Sequence, residues 1–159
     1  MKQRIFLLLL AAVMTTAAMA QNNISKIING PAFEELRILG PVTVELIESE
    51  NASIHVEGTL NLVNDVSVTW LQNRLTISFP SEAARQPLVV KVYAKNLKSL
   101  VVEENARVIT PQPLNAANLL ITVNDVSTAR IVNRGKTRVY NMGNVSVKSY
   151  PYGQDPKGF

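Results

Sequence analysis

From about residue 33 onward, apolar and polar residues alternate along this chain, and a period of two is the spacing of a strand with one buried face. The clearest runs are Val42, Val44, Leu46; Ile54, Val56; Val66, Val68, Trp70; Leu75, Ile77, Phe79; and Val90, Val92. Many of these residues are β-branched or aromatic. The joints between runs carry turn chemistry: Gly40-Pro41, Glu50-Asn51, Gly58, Gln72-Asn73 and Pro80-Ser81. The pattern predicts a nearly all-β chain. Only Pro31 to Leu39 is ambiguous, because Pro31-Ala32-Phe33-Glu34-Glu35-Leu36 also suits the first turn of a helix.

The second half adds a weak internal repeat. Leu100 to Val108, Leu120 to Thr128 and Val139 to Val147 each read as strand, polar corner, strand. Taking Asn105, Asp125 and Asn144 as equivalent corners gives steps of 20 and 19 residues, a coil length suited to a β-solenoid with parallel stacked rungs. Val63-Asn64-Asp65-Val66-Ser67 in the first half repeats Val123-Asn124-Asp125-Val126-Ser127, so the corner chemistry recurs outside the three-fold block. An antiparallel β-sandwich produces the same alternation and is the alternative fold.

The first twenty residues read as an export signal. Lys2 and Arg4 precede the apolar run Ile5 to Val13, and Ala18-Met19-Ala20 stands ahead of polar Gln21. That run is far shorter than the roughly 20 residues of a membrane-spanning helix. The expectation is a mature chain that starts near Gln21, carries no integral membrane segment, and is periplasmic, outer-surface or secreted. Removing 20 of 159 residues leaves 139, one domain with enough chain to bury its own core. There is no cysteine, which excludes disulfides, thiolate nucleophiles, cysteine-based metal sites and an acylated cysteine anchor.

Formal charge is +4, and +2 once Lys2 and Arg4 are set aside, too little to argue for nucleic acid. Its distribution says more. Residues 21 to 104 carry seven basic and ten acidic groups, whereas residues 105 to 159 carry seven basic and two acidic. Arg130, Arg134, Lys136 and Arg138 form the densest cluster and are the candidate contact site for an envelope glycan or other anionic surface.

Catalytic patterns are sparse. Serine–histidine chemistry needs a histidine at the nucleophile, and the chain has only His55, expected on an outward strand face beside Glu57. One histidine without cysteine makes a zinc site improbable, and no cofactor is expected. A glycosidase-like pair would have to come from Asp65 and Asp125, yet aspartate after asparagine at a strand end is ordinary turn material. Glu103-Glu104 and Asn124-Asp125 offer too few clustered oxygens for calcium. Trp70 shares its alternation with Val66 and Val68 and reads as core, while the tyrosines 93, 140, 150 and 152 are weighed as a sugar-stacking platform.

The order of segments resembles a family of exported bacterial proteins, "putative auto-transporter adhesin, head GIN domain". The resemblance lies in Phe33 to Leu39, the glycine-flanked strand Gly40 to Leu46, then Ile54-His55-Val56-Glu57-Gly58. Arg74-Leu75-Thr76-Ile77-Ser78, Leu88 to Tyr93 and the repeat entry Asn96 to Val102 continue it. At the corners this chain has Glu104-Asn105, Asn124-Asp125 and Gly143-Asn144 where the family often has Ser-Gly. The resemblance implies a right-handed parallel β-solenoid with short strands and no enzymatic chemistry. It also implies adhesin-like binding or scaffolding at the cell envelope. The expected organisation is a signal over 1–20, a polar lead-in over 21–31, a head GIN-like domain over 32–149 and a tail over 150–159. Open solenoid ends would offer a route to homo-oligomers.

Overall fold

A computed structural model describes residues 23–85, 88–141 and 144–149. Within them the chain is all-β apart from one short helix and a 3-10 turn at Ser81–Ala84. The first half holds β1 (Asn23–Asn29), β2 (Glu35–Leu39), β3 (Thr43–Glu48), β4 (Ser53–Thr59), helix α1 (Leu60–Asp65), β5 (Ser67–Leu71), β6 (Arg74–Ser78) and β7 (Val89–Ala94). The second half holds β8 (Ser99–Glu103), β9 (Arg107–Ile109), β10 (Asn118–Val123), β11 (Thr128–Asn133), β12 (Lys136–Asn141) and β13 (Asn144–Ser149).

These strands form two mixed sheets and no closed barrel. The seven-stranded sheet runs β1-β4-β7-β3-β9-β11-β13, and the six-stranded sheet runs β12-β10-β8-β2-β6-β5. From β6 onward, successive strands fall in alternate sheets. All pairings from β7 to β13 in the first sheet and from β12 to β6 in the second are parallel. Antiparallel pairing is confined to one end, where β1, β4 and β7 meet in one sheet and β5 and β6 in the other. Two layers agree with the sandwich alternative, although most of the pairing is parallel.

Period two has the expected effect. Val44 and Leu46, Ile54 and Val56, Leu75 and Ile77, Val90 and Val92, Leu100 and Val102, and Leu119, Ile121 and Val123 are each at most 2% exposed. They belong to a single cluster fed by both sheets. Fully burying each such side chain is worth about 1.5–3 kcal/mol, so this layer dominates the stability of the fold.

The corners use left-handed backbone. Gly40 (φ 103°) joins β2 to β3, Glu104 and Asn105 (φ 58° and 66°) join β8 to β9, and Asp125 (φ 58°) joins β10 to β11. They stack along one line, since Leu39 is in register with Glu103 and Val102 with Val123. Backbone bonds stitch the line together: the Arg107 N–H donates to Val42 O (2.8 Å), Thr128 N–H to Ala106 O (2.9 Å) and Asn124 N–H to Val102 O (2.9 Å).

Four readings change. The polar lead-in contains β1, paired antiparallel along β4. Its Ile24 and Ile28 pack on the core, and Ile27, adjacent to Ile28 in sequence, obscures the alternation. The ambiguous Pro31 to Leu39 ends in strand β2, held by parallel neighbours on both sides. Asn144 is not a corner equivalent to Asp125: it begins β13 in register with Thr128, and residues 142–143 before it lie outside the described residues. Finally, the shared Val-Asn-Asp-Val-Ser pentapeptide adopts two structures. At 63–67 it closes α1 and enters β5, whereas at 123–127 it ends β10 and turns the corner through Asp125. The signal segment and the tail 150–159 lie outside the described residues.

Candidate functional site

The uneven charge along the sequence becomes a difference between paired and unpaired cations. On the six-stranded sheet, Arg74 Nε meets Glu35 at 2.7 Å in register across β6 and β2, and Arg37 reaches diagonally from β2 to Glu103 on β8 at 2.5 Å. Lys98 Nζ pairs with Glu34 at 2.6 Å, Lys91 with Glu45 at 3.9 Å, and Lys95 with Glu50. Hydrogen bonds from Lys98 and Asn73 hold the Glu34 carboxyl below its ordinary range. Exposed pairs of this kind are worth about 0–1 kcal/mol each, so their main effect is to neutralise this part of the surface. Beyond residue 104 the pattern stops. Among the described residues no carboxylate pairs with Arg107, Arg130, Lys136, Arg138 or Lys148.

The structure divides the expected cluster. Lys136 and Arg138 alternate with Thr137 along β12, opposite Asn118 and Leu120 of β10, on the outer face of the six-stranded sheet. Arg130 lies in the other sheet, on β11 opposite Ile109 and Ser146. Arg134 is half-buried in the β11–β12 turn, where its backbone N–H donates to Leu114 O at 2.9 Å. Proximity in sequence does not put these four on one face, because the chain changes sheet at the turn between Asn133 and Lys136.

Lys136 and Arg138 instead share a concavity of about 870 Å³ with Asn96, Asn115, Asn118, Leu120, Tyr140 and the ion pair of Lys98 with Glu34, which leaves Lys136 and Arg138 as its unpaired charges. Tyr140 follows Arg138 at the same period-two position and is 65% exposed. A phenol ring beside two cations and several amides can stack on a sugar ring, donate to its hydroxyls and attract an acidic substituent. The Lys-x-Arg-x-Tyr spacing of β12 carried this signal in the sequence. Asn96 and Asn115 did not, because they lie on two separate connections, β7 to β8 and β9 to β10, that have no periodicity, and Asn118 did not, because it only opens β10.

Asn133 sets the wall of this groove. Its side chain is fully buried; Oδ1 accepts the Ala116 N–H (3.1 Å), and Nδ2 donates to Ala116 O (2.9 Å) and Thr137 Oγ1 (3.1 Å). The Lys136 N–H donates to Ala117 O at 2.9 Å. The loop carrying Asn115 is thereby fixed to the root of β12. Gly135 is required at the turn, since a Cβ there would lie 2.0 Å from Ala116 O.

The other candidates are placed as follows. His55 is half-buried, its ring 4.6 Å from that of Tyr93, and does not stand free on the surface. Asp65 and Asp125 are both exposed near one corner line, but β5 and β10 are four strand spacings apart. At roughly 4.8 Å per spacing that is about 19 Å, beyond the roughly 5–10 Å of a glycosidase pair. Among the described residues no three His, Asp or Glu side chains gather into a metal-holding group. No described helix is long and apolar enough to cross a membrane. Trp70 packs against the core over Gly30, where an added Cβ would lie 2.3 Å from Cζ2.

The chain is similar to three crystal structures of proteins called putative adhesins. That from Parabacteroides merdae ATCC 43184 has a TM-score of 0.64 at 22% identity, covering 79% of this chain and 55% of that chain. That from Parabacteroides distasonis ATCC 8503 has a TM-score of 0.63 at 21% identity, covering 80% and 57%. That from Bacteroides fragilis NCTC 9343 has a TM-score of 0.62 at 13% identity, covering 82% and 74%. At these identities the likeness is one of fold, and the chain spans little more than half the length of the first two. Among curated proteins none matches. The family profile "Putative auto-transporter adhesin, head GIN domain" matches residues 32–150, and the chain belongs to that family.

Proposed function

We propose that this chain is a non-enzymatic, exported binding module of the cell envelope that holds anionic glycan in the groove formed by Lys136, Arg138 and Tyr140. The observation that carries this reading is the pair of unpaired cations beside an exposed tyrosine, on a protein where Arg37, Arg74, Lys91, Lys95 and Lys98 upstream are each matched by a carboxylate. The family description supports adhesin-like surface contact. The separation of Asp65 from Asp125 speaks against the carbohydrate-active alternative. We read residues 1–20 as the export signal and 32–149 as one domain wound as a right-handed β-solenoid, with β1 of the lead-in attached to it. Alternation between sheets with parallel pairing supports the winding, and crossovers between parallel strands are almost always right-handed.

Co-sedimentation of the purified protein with envelope fractions across a salt series tests the binding. Retention at low salt that falls as salt rises is expected, because exposed charges are screened beyond about 8 Å at physiological ionic strength. Lys136→Gln/Arg138→Gln should release the protein at lower salt, and a salt midpoint unchanged in that variant would reject the groove. A second reading rests on the ends of the sheets: β12 and β13 are edge strands among the described residues, with Val139 40% exposed on β12. Self-association through these edges would appear as concentration-dependent oligomers in sedimentation velocity.

A further inference from the structure

The cations left out of the groove form a second surface. Arg107, Arg130 and Lys148 are exposed on β9, β11 and β13, three successive parallel strands of the seven-stranded sheet. The register fixes their arrangement. Arg107 is opposite Thr128, two residues before Arg130, and Arg130 is opposite Ser146, two residues before Lys148. The three positions therefore run diagonally, with successive Cα atoms about 8 Å apart from one strand spacing and two residues of rise. They border one cavity of about 300 Å³, with Ser146 at its rim and Pro111 beside it. The neighbouring carboxylate is Glu45 on β3, in register with Ile109 and one diagonal step from Arg107, where Lys91 on the other side of β3 engages it at 3.9 Å; Glu104 and Asp125 sit on the corner line.

We propose that this diagonal is a second, independent site for sulfated or phosphorylated polysaccharide, so that one protein molecule bridges two anionic chains. Its geometry complements a linear polymer bearing charges at regular intervals, because three single charges at equal steps match a repeat better than one compact anion. The two sites cannot act as one patch. Their sheets share a single core between them, so the diagonal and the β12 groove point away from each other, separated by two sheet layers about 10 Å apart. The inference takes only its ligand class from the groove reading and stands on different residues.

The test uses heparin as the sulfated probe and beads coated with it. Wild-type protein is expected to bind heparin and agglutinate the beads. Arg107→Gln/Arg130→Gln/Lys148→Gln should weaken binding by about tenfold, at roughly 0.5 kcal/mol for each exposed charge contact, and abolish agglutination. Ser146→Glu, which puts a carboxylate among the three cations without removing any, should do the same. Lys136→Gln/Arg138→Gln should lose agglutination while keeping binding through the diagonal. The diagonal is overturned if its triple variant binds and agglutinates like wild type. It is overturned equally if replacing the ion-paired Arg74, Lys91 and Lys95, none of which lines either site, by Gln has the same effect, since net charge alone would then explain the result. If the triple variant weakens binding and the β12 variant changes nothing, the groove fails and the diagonal stands.

Discussion

Asn133→Ala should destabilise the protein and loosen the groove together. The side chain is fully buried and makes three hydrogen bonds, two to the backbone of Ala116 and one to Thr137 Oγ1. At about 1 kcal/mol net per bond the loss is about 3 kcal/mol, and the Ala116 N–H and C=O, left without partners, keep it from being much smaller. That is a large part of the 5–15 kcal/mol typical of a domain. With a urea slope of about 2 kcal/mol/M, the midpoint should fall by about 1.5 M at unchanged slope. Asn133→Asp sharpens the test. It keeps the acceptor for the Ala116 N–H but turns a carboxylate toward Ala116 O, so it should be as damaging at neutral pH and milder in acid, where a protonated carboxyl can donate. The variant's weakened Asn115 loop should also lower heparin affinity in conditions where the chain stays folded. A loss below about 1 kcal/mol for Asn133→Ala would refute the claim that this residue staples the loop to β12.

Two further outcomes follow from the corners. Glu104 has φ 58°, a conformation that costs an ordinary residue about 1–2 kcal/mol. Glu104→Gly should therefore raise stability by about 0.5–1 kcal/mol, after the entropy glycine loses on folding, and Glu104→Val should lower it; thermal melts read both. Burial pushes the Glu103 carboxyl up, but the hydrogen bonds from Arg37 and Asn124 more than reverse this and leave it below its ordinary 4.5. The folded chain then binds that proton less readily than the unfolded chain. The associated stability is present above pH 4.5 and drains away as pH falls through the lowered value. Glu103→Gln should flatten that portion of a urea-midpoint profile taken in acid.

How much of this was legible depended on whether the signal was local. The period-two runs named the inward residues of β3, β4, β6 and β7 because alternation is dictated by the strand itself. Corner chemistry was legible at Asn105 and Asp125, whose side chains tolerate left-handed backbone. The same reasoning failed for Asn144, since a 19-residue step in sequence does not reveal where the register places it. It failed also for Val63 to Ser67. Identical residues close a helix in one place and turn a corner in the other, so tertiary context decides between them. In the site, Lys136 and Arg138 were found by charge density. Arg130 was grouped with them because a run of cations in sequence does not show that the chain changes sheet between them. Arg107 and Lys148, 41 residues apart, come together only through the pairing of β9, β11 and β13.

The central claim is that the outer face of β10 and β12 receives the anionic ligand. Backbone amide NMR of the labelled protein, titrated with a short heparin oligosaccharide, reads that face directly. Asn118, Leu120 and Lys136 to Tyr140 should shift in a saturable, salt-sensitive way, while Ser67 to Leu71 at the opposite end of the same sheet stay still. Saturable shifts that leave β10 and β12 untouched would contradict the account.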